Sequence, residues 1–315
     1  MTMETVDIQD TLEQAAIEFD NTFEKQEYPD VQLGKFMTIT QKGNVQTTDV
    51  LYGQEKGTQD LDNGLVDEST TSIELEDVHI EGKKMGYIDW AKGVVYTSLG
   101  VERAKRFGIQ LDTTKLENLR GVCLRTIQKT ALIGHARRRD VTGMMNNPVV
   151  NIEDMTKQKP ISAMSGAEAR AWFINLIKLG YNASDQIVMP DTIAIDSMDL
   201  LTLSGLYDAS ITNGATNINA LAAIKEALRE FAQTEINIIG VPMGFAQGIG
   251  TKGANRACVY TNKEDTIFTD WARAPTTGSV FQRSSLSWEV PLEAQFTGAI
   301  IRKLDRFIYV DYKSS

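Results

Sequence analysis

The chain has 315 residues, 42% of them hydrophobic and 23% charged, with a formal net charge of −10, which is enough to bury a sizeable core in one large domain or two modest ones. No run approaches the roughly 18 to 20 consecutive apolar residues of a membrane-spanning helix, and the acidic start MTMETVDIQD lacks the basic and apolar regions of a secretion signal, so a soluble protein made in a cytoplasm, with no membrane among its partners, is expected. Two cysteines, Cys123 and Cys258, stand far apart outside any C-x-x-C pattern, and His79 and His135 are the two histidines; zinc sites and redox pairs are disfavoured, and both thiols are expected in the core.

Charge is unevenly placed. Residues 1–100 hold 20 acidic and 7 basic side chains, against 22 and 25 in the remaining 215. Such asymmetry marks either a solvated acidic surface or a part that lies on basic surface of neighbouring copies. In chain order, Ile8, Leu12, Ala15, Ala16 and Phe19 have helical spacing and predict a short amphipathic helix, followed by a polar stretch broken at Pro29. Residues 44–80 read as a long hairpin: GNVQTTDVLY as one strand, GQEKGTQDLDNG as a turn, and STTSIELEDVHI as the return strand. Its arms carry one narrow row of large apolar residues, and an isolated two-stranded ribbon is marginal in water, so stabilisation by other subunits is expected.

A short helix is predicted near Val101–Phe107, then the longest one. Thr114 with Glu117 fits a capping box, and Leu116, Leu119, Cys123, Ile127 and Ala131 form an apolar stripe up to about Ala136. The basic run Arg137–Arg139 is placed at this helix's C-terminus, where the macrodipole favours positive charge. A second capping box, Ser165 to Glu168, opens a helix with the stripe Ala169, Trp172, Phe173, Leu176 and Ile177 and with Gly180 as its stop. Ile187–Met189 reads as a buried strand ended by Pro190. Helices near 196–204 and 218–232 and strands at 236–241, 256–261, 285–293 and 298–311 complete an α+β pattern without regular βαβ alternation.

Little catalytic chemistry is visible. H-E-x-x-H, G-x-S-x-G and the phosphate-binding G-x-x-x-x-G-K-[ST] are all missing. Asp60-Leu-Asp62-Asn63-Gly64 gathers carboxylates in a turn but not at EF-hand spacing. Gly248-Ile-Gly250-Thr-Lys-Gly253 satisfies G-x-G-x-x-G, yet the residues after it, ANRACVYTN, read as strand and not as the helix a dinucleotide site requires; a flexible loop is expected. The Arg137–Arg139 cluster could meet phosphate, but the chain is acidic and shows no nucleic-acid reading motif. No cofactor, metal or catalytic residue is expected.

The order of arm, long hairpin, long helix, mixed region and return strand resembles the HK97-like major capsid proteins of tailed bacteriophages. EYPDVQLGKFMTIT resembles the segment leading from arm to hairpin in one such family. Val141-Thr-Gly143-Met-Met-Asn146-Asn147-Pro148 resembles its Gly-Leu-x-Gly-Leu-Leu-Asn-x-Pro exit from the spine helix. SDQIVMPDTIAIDSM resembles the step into the axial domain, and FTGAIIRKLDRFIYVDY the closing strand, with Leu304-Asp305 where the family often carries Pro. The resemblance covers roughly residues 20–312. It implies an N-terminal arm (1–43), an extended hairpin loop (44–80), a peripheral domain (81–185 and 286–315) with spine helix 115–137, and an axial domain (186–285).

It also implies a structural, non-enzymatic shell subunit that self-assembles into pentamers and hexamers around double-stranded DNA. Portal protein, and scaffold or decoration proteins, would be partners. Packaged DNA would be met only non-specifically, and the virion, assembled in the host cytoplasm, would be the location. An extended loop over the adjacent subunit agrees with the charge asymmetry. The candidate subunit-interface residues are therefore Lys56, Asp60 and Asp62 in the hairpin and Arg120, Arg125, Arg137, Arg138 and Arg139 on the spine helix. Some relatives crosslink through the hairpin by a Lys–Asn bond; Lys56 is the lysine near this tip, and a lone turn lysine is read as serving solubility. The alternatives are an encapsulin-like compartment of the same fold and a cytoplasmic α/β enzyme, the latter requiring a cluster of titratable groups.

Overall fold

The computed structural model describes residues 32–56, 79–100, 111–208, 218–233 and 235–313. The chain divides into two units, Met1–Asp30 and Val31–Ser315, and the described residues belong to the second. The helix expected over 8–19, the helix near Val101–Phe107 and the tip of the hairpin lie outside the described residues.

The first described turn, α1 (Leu33–Phe36), buries Leu33 and Phe36 and feeds the short strand β1 (Thr38–Thr40). Strands β2 (Asp49–Lys56) and β3 (His79–Gly86) form the antiparallel hairpin, Asp49 opposite Gly86 and Lys56 opposite His79. After β4 (Ile88–Thr97) comes the long helix α2 (Leu111–Ile133), then β5 (Ile152–Met155) and α3 (Gly166–Ala183). Strand β6 (Thr192–Asp196) runs into α4 (Ser197–Gly205); a two-residue pair, β7 (Tyr207–Asp208) and β8 (Ile218–Asn219), precedes α5 (Ala220–Ala232). The remainder is strand: β9 (Asn237–Val241), β10 (Asn255–Tyr260), β11 (Ile267–Asp270), β12 (Arg273–Thr277), β13 (Phe281–Ser284), β14 (Ser287–Phe296), β15 (Ile300–Ile301) and β16 (Phe307–Tyr312).

The central sheet has the order β5-β16-β10-β6-β9, and every residue of β6, β10 and β16 is buried. Alternation along these strands assigns side chains to two different cores. Ile193, Ile195, Ala257, Val259, Ile308 and Val310 face the stripe Trp172, Phe173, Leu176 and Ile177 of α3, together with Ile224 and Leu228 of α5. Ala194, Cys258, Tyr260, Phe307 and Tyr309 face the other way, into a core shared with Leu119, Cys123, Ile127 and Ala131 of α2. A sheet covered on both faces needs continuous apolar runs, which is why Ala257–Tyr260 of β10 and Phe307–Val310 of β16 read as such.

A second sheet is built on β14, which pairs with β4 along one edge from Ser287–Thr97 to Phe296–Ile88 and with β13 and β12 along the other. Here one face is buried and one is open. Ile88, Trp90, Val94, Val290, Leu292, Ala294 and Phe296 point to the core, and α2 lies over them. Lys115 of that helix donates to the Val95 carbonyl at 3.0 Å and sits over the Tyr96 ring. The opposite residues of β4, such as Ala91, Gly93 and Val95, are exposed.

Several local expectations are corrected. Helix α2 ends at Ile133, not near residue 137, because Gly134 adopts φ +73° and turns the chain. Arg137–Arg139 thus lie in the loop beyond the helix, with no basic residue in its last turn, so the macrodipole reading of that cluster fails. Thr114 lies inside the helix and is not its cap. Gly180 does not stop α3, which runs on to Ala183; it is buried because a Cβ there would meet Val259 Cγ1 at 2.9 Å and Pro190 Cγ at 3.0 Å. Ile187–Met189 is not a strand. Asp185 and Gln186, both at positive φ, make a turn there, and β6 begins only after Pro190. The Ser165–Glu168 capping box forms in full, with Ser165 N donating to Glu168 Oε2 at 2.8 Å and Glu168 N to Ser165 Oγ at 3.3 Å.

Candidate subunit interface

The hairpin leaves the body through a root held by one carboxylate. Asp270, at the end of β11, is fully buried. Its Oδ1 accepts from Thr40 Oγ1 at 2.5 Å and from Lys42 N at 2.8 Å, and its Oδ2 accepts from Gly43 N at 2.9 Å and from Tyr87 OH at 2.5 Å. Thr40 to Gly43 precede the hairpin and Tyr87 follows it, so both ends of the ribbon are fastened to the same side chain. Gly43 is required there, because a Cβ would overlap the Tyr87 phenol. Burial pushes the Asp270 carboxyl up, and the hydrogen bonds from Thr40, Tyr87, Lys42 and Gly43 outweigh it, leaving its pKa below the ordinary carboxylate value. The phenol of Tyr87 is correspondingly raised, by burial first and by Asp270 second. Above this root Val50, Tyr52 and Met85 pack on Phe268 and Ile300, while Leu51 on the other face is 78% exposed.

The second feature is the turn at 141–147 that follows α2. It satisfies the carbonyls that a helix end leaves unpaired. Gly134 N reaches Thr130 O at 2.8 Å, Met144 N reaches Ala131 O at 2.8 Å, Met145 N reaches Leu132 O at 2.8 Å, and Asn146 Nδ2 reaches Ile133 O at 2.6 Å. Gly143 packs directly on the helix end, where a Cβ would meet Ile133 N at 2.5 Å. The turn also joins the helix to the central sheet. Tyr309 OH donates to Met144 O at 2.6 Å, and Arg256 Nη1 donates to Met145 O at 3.0 Å. Arg256 in turn holds Asp311 in a buried two-pronged ion pair of 2.7 and 3.0 Å and stacks on the Tyr309 ring. Thr251, through N and Oγ1, also donates to Asp311, at 2.6 and 2.8 Å. The glycine-rich loop 248–253 is therefore tied down, not flexible as expected. It is followed by β10, not by a helix.

Of the candidate interface residues, Lys56 ends β2 opposite His79, with its side chain outside the described residues, as are Asp60 and Asp62. Arg120 is exposed on α2, and Arg125 is half-buried with its guanidinium lying along the helix at Gly121. Arg137 and Arg139 are exposed. Arg138 pairs with Asp140 of its own chain through Nε at 3.0 Å and Nη2 at 2.7 Å. That pair rests on the hairpin base, where a Cβ on Gly86 would meet Asp140 Oδ2 at 2.5 Å. The hydrogen bonds to Asp140 raise the Arg138 pKa against a smaller effect of burial, with Asp140, Asp49 and Asp89 adding to the rise. Arg138 thus stands where the helix exit meets the hairpin base, with Arg137 and Arg139 beside it in the same loop, whereas Arg120 and Arg125 lie further back along α2 and are not brought together with them. Asp270, Tyr87 and Gly43 were missed in the sequence; the Gly143-Met-Met-Asn146 motif was visible there, but not its part as a helix cap.

The chain as a whole is similar to proteins of known type. A family profile described as major capsid protein matches residues 62–312. Among solved structures, the capsid of Myoviridae phage XM1 matches with a TM-score of 0.75 at 13% identity, covering 95% of this chain and 97% of that one. The capsid of a native GTA particle matches at 0.63 and 10% identity over 95% of each chain. A virus-like particle from Pyrococcus furiosus matches at 0.53 and 10% identity, over 89% of this chain and 92% of that one. At such identities the likeness is one of fold. No curated protein matches the chain by sequence.

Proposed function

The chain belongs to the family of major capsid proteins, and on that premise we propose that its copies assemble as pentamers and hexamers into the icosahedral head of a tailed phage, around double-stranded DNA. Its task is structural, and the fold is the HK97-like one. The observation that carries the reading is the agreement of two independent likenesses, the family profile over residues 62–312 and a fold shared over 95% of the chain with a phage capsid subunit. The fixed hairpin root supports it. A ribbon held at both ends by Asp270, carrying an exposed Leu51, suits a loop that lies over an adjacent subunit.

In this reading the acidic arm and hairpin, including Asp60, Asp62 and Lys56, meet the basic surface around Arg120, Arg125, Arg137 and Arg139 of a neighbour. Arg138 is engaged mainly by its own Asp140. Portal, scaffold or decoration proteins would dock on the shell, and DNA would touch its negative surface only non-specifically. Assembly would occur in the host cytoplasm. The fold shared with the Pyrococcus furiosus particle favours one other reading, a protein compartment without a genome. Negative-stain microscopy of purified full-length protein tests the proposal: closed shells or rings of five or six are expected, and a homogeneous monomer or dimer under all conditions would overturn it. Nucleic acid protected inside particles from infected cells separates the head from the empty compartment.

A further inference from the structure

A cavity of about 650 Å³ beside the exit of α2 carries charge of one sign. Its wall is made by the last turns of α2, the loop after them and the turn that caps the helix. Lys129 enters the wall from α2, His135 and Arg139 from the loop, and no acidic side chain lines it among the described residues. Lys129 and Arg139 are exposed and form no ion pair among the described residues. Asp140, the acid next in the chain, is held by Arg138. The loop is fixed by its own backbone: His135 N donates to Val141 O at 3.4 Å, Arg138 N to His135 O at 3.2 Å and Val141 N to Arg138 O at 3.1 Å. Arg137 N donates to His135 Nδ1 at 3.3 Å, so the neutral ring carries its proton on Nε2 and has a donor there. The groups that would repel an anion are occupied. The carbonyls of Thr130, Ala131, Leu132 and Ile133, which form the negative end of the helix, each already accept a hydrogen bond, and the amide oxygen of Asn146 accepts from Gly143 N at 2.7 Å.

A fixed backbone, donors without competing acceptors and two cations without partners make an anion site. We infer that this cavity binds a doubly charged phosphate group, either free inorganic phosphate or the terminal phosphate of a small organic molecule. Charge selects it over a carboxylate. Lys129 and Arg139 supply two positive charges, which a phosphate of roughly −1.5 to −2 at pH 7 balances and a single carboxylate does not. The Arg139 fork suits two phosphate oxygens at once and Lys129 acts as a point charge. His135 Nε2 and the hydroxyls of Thr130 and Thr142 in the same wall serve the remaining oxygen. The volume falls within the roughly 300–1,000 Å³ of small-molecule sites. The inference goes beyond the shell reading, in which Lys129 and His135 have no part and Arg139 alone is shared.

Calorimetry and phosphorus NMR test it on free subunits of the full chain, separated from any shells by sedimentation and held at constant ionic strength. Inorganic phosphate is expected to saturate one site per chain and to bind about tenfold or more tighter than acetate. Lys129→Gln and Arg139→Gln, both at exposed positions, are each expected to weaken phosphate about fivefold or more with unchanged circular dichroism. Lys178→Gln, exposed on α3, is expected to bind as the wild type does. A nucleoside monophosphate that binds tighter than inorganic phosphate assigns the site to organic phosphates, and one that binds no tighter assigns it to the free ion. Binding that does not saturate, equal affinity for acetate, or an equal loss in Lys178→Gln overturns the inference. So does a peptide of residues 54–67 that displaces phosphate by binding tighter, which would give the cavity to the acidic hairpin. All of these outcomes are read on unassembled chains, so the shell reading stands or falls separately, by microscopy.

Discussion

At the scale of single residues, two buried carboxylates do different things. Asp270 takes neutral donors from both ends of the hairpin, so its removal frees the ribbon without leaving a buried cation behind. Asp270→Asn is expected to cost about 1–3 kcal/mol, because an amide cannot accept from four donors and its own NH2 meets donors instead. Tyr87→Phe, which deletes one of the four, is expected to cost about 0.5–1.5 kcal/mol. Urea unfolding measures both, and equal costs would argue against the shared anchor. Asp311 is the other case, since it balances Arg256. Arg256→Met leaves a buried carboxylate with only the Thr251 donors and is expected to cost about 3–5 kcal/mol. Both carboxyls have pKa values below the unfolded one: burial raises each, and hydrogen bonding, with Arg256 in the case of Asp311, lowers it by more. A depressed carboxylate contributes stability above its unfolded pKa and loses it as pH falls through the folded one. The protein is therefore expected to keep full stability at neutral pH and lose it below about pH 4, with Asp270→Asn giving a shallower acid slope than the wild type.

At the scale of elements, the end of α2 decides how the helix is joined to the rest. The basic run after it suggested a dipole effect, which is local and visible in sequence. The structure instead closes the helix with carbonyl acceptors paired to Met144, Met145 and Asn146, a set defined by a turn that folds back over ten residues. Gly143→Ala is expected to cost about 1–3 kcal/mol, since its Cβ would press on helix backbone that cannot give way. By contrast, Arg137→Ala and Arg139→Ala, both exposed, are expected to stay within about 0.5 kcal/mol of the wild type. Thermal melting of the three variants checks the contrast. A cost at Arg137 comparable to that at Gly143 would restore the dipole reading. What was legible in sequence follows the same division. The capping box at Ser165, the stripe of α3, the stripe of α2 and the buried thiols depend on spacing within one element, and the structure has them. The role of Gly180 and the Asp270 anchor depend on partners far away in the chain, and the helix end and the turn before β6 on loop hydrogen bonds that helix or strand periodicity does not carry. Nothing in the local pattern around Asp270, in IFTDW, distinguishes a hairpin anchor from an ordinary strand end.

At the scale of the whole molecule, charge is the property that the fold distributes but does not consume. The first 100 residues hold 20 acidic and 7 basic side chains, and the rest 22 and 25. Within a chain, the exposed pairs, such as Lys42 with Glu264 and Arg138 with Asp140, contribute about 0–1 kcal/mol each, so they neither explain the asymmetry nor hold the fold. Asymmetry of this kind has its effect between copies. If the acidic arm and hairpin lie on the basic corner of a neighbour, their attraction acts across solvent-accessible distances and is screened by salt, with a Debye length of about 10 Å at 0.1 M and about 3 Å at 1 M. Folding rests on the two apolar cores and the buried Arg256–Asp311 pair, which salt barely reaches. The two properties should therefore separate. Raising salt from about 0.1 to 1 M is expected to reduce the fraction of protein in shells while leaving the urea midpoint of the subunit nearly unchanged. Arg137→Glu and Arg139→Glu are expected to lower assembly at 0.1 M in the way that salt does, and to make what remains less salt-sensitive. Light scattering across a salt series reads the first quantity and fluorescence of the four tryptophans the second. Shells that form equally well at both ends of the series would place the contact energy in apolar surfaces and would leave the acidic first third as a solvated surface.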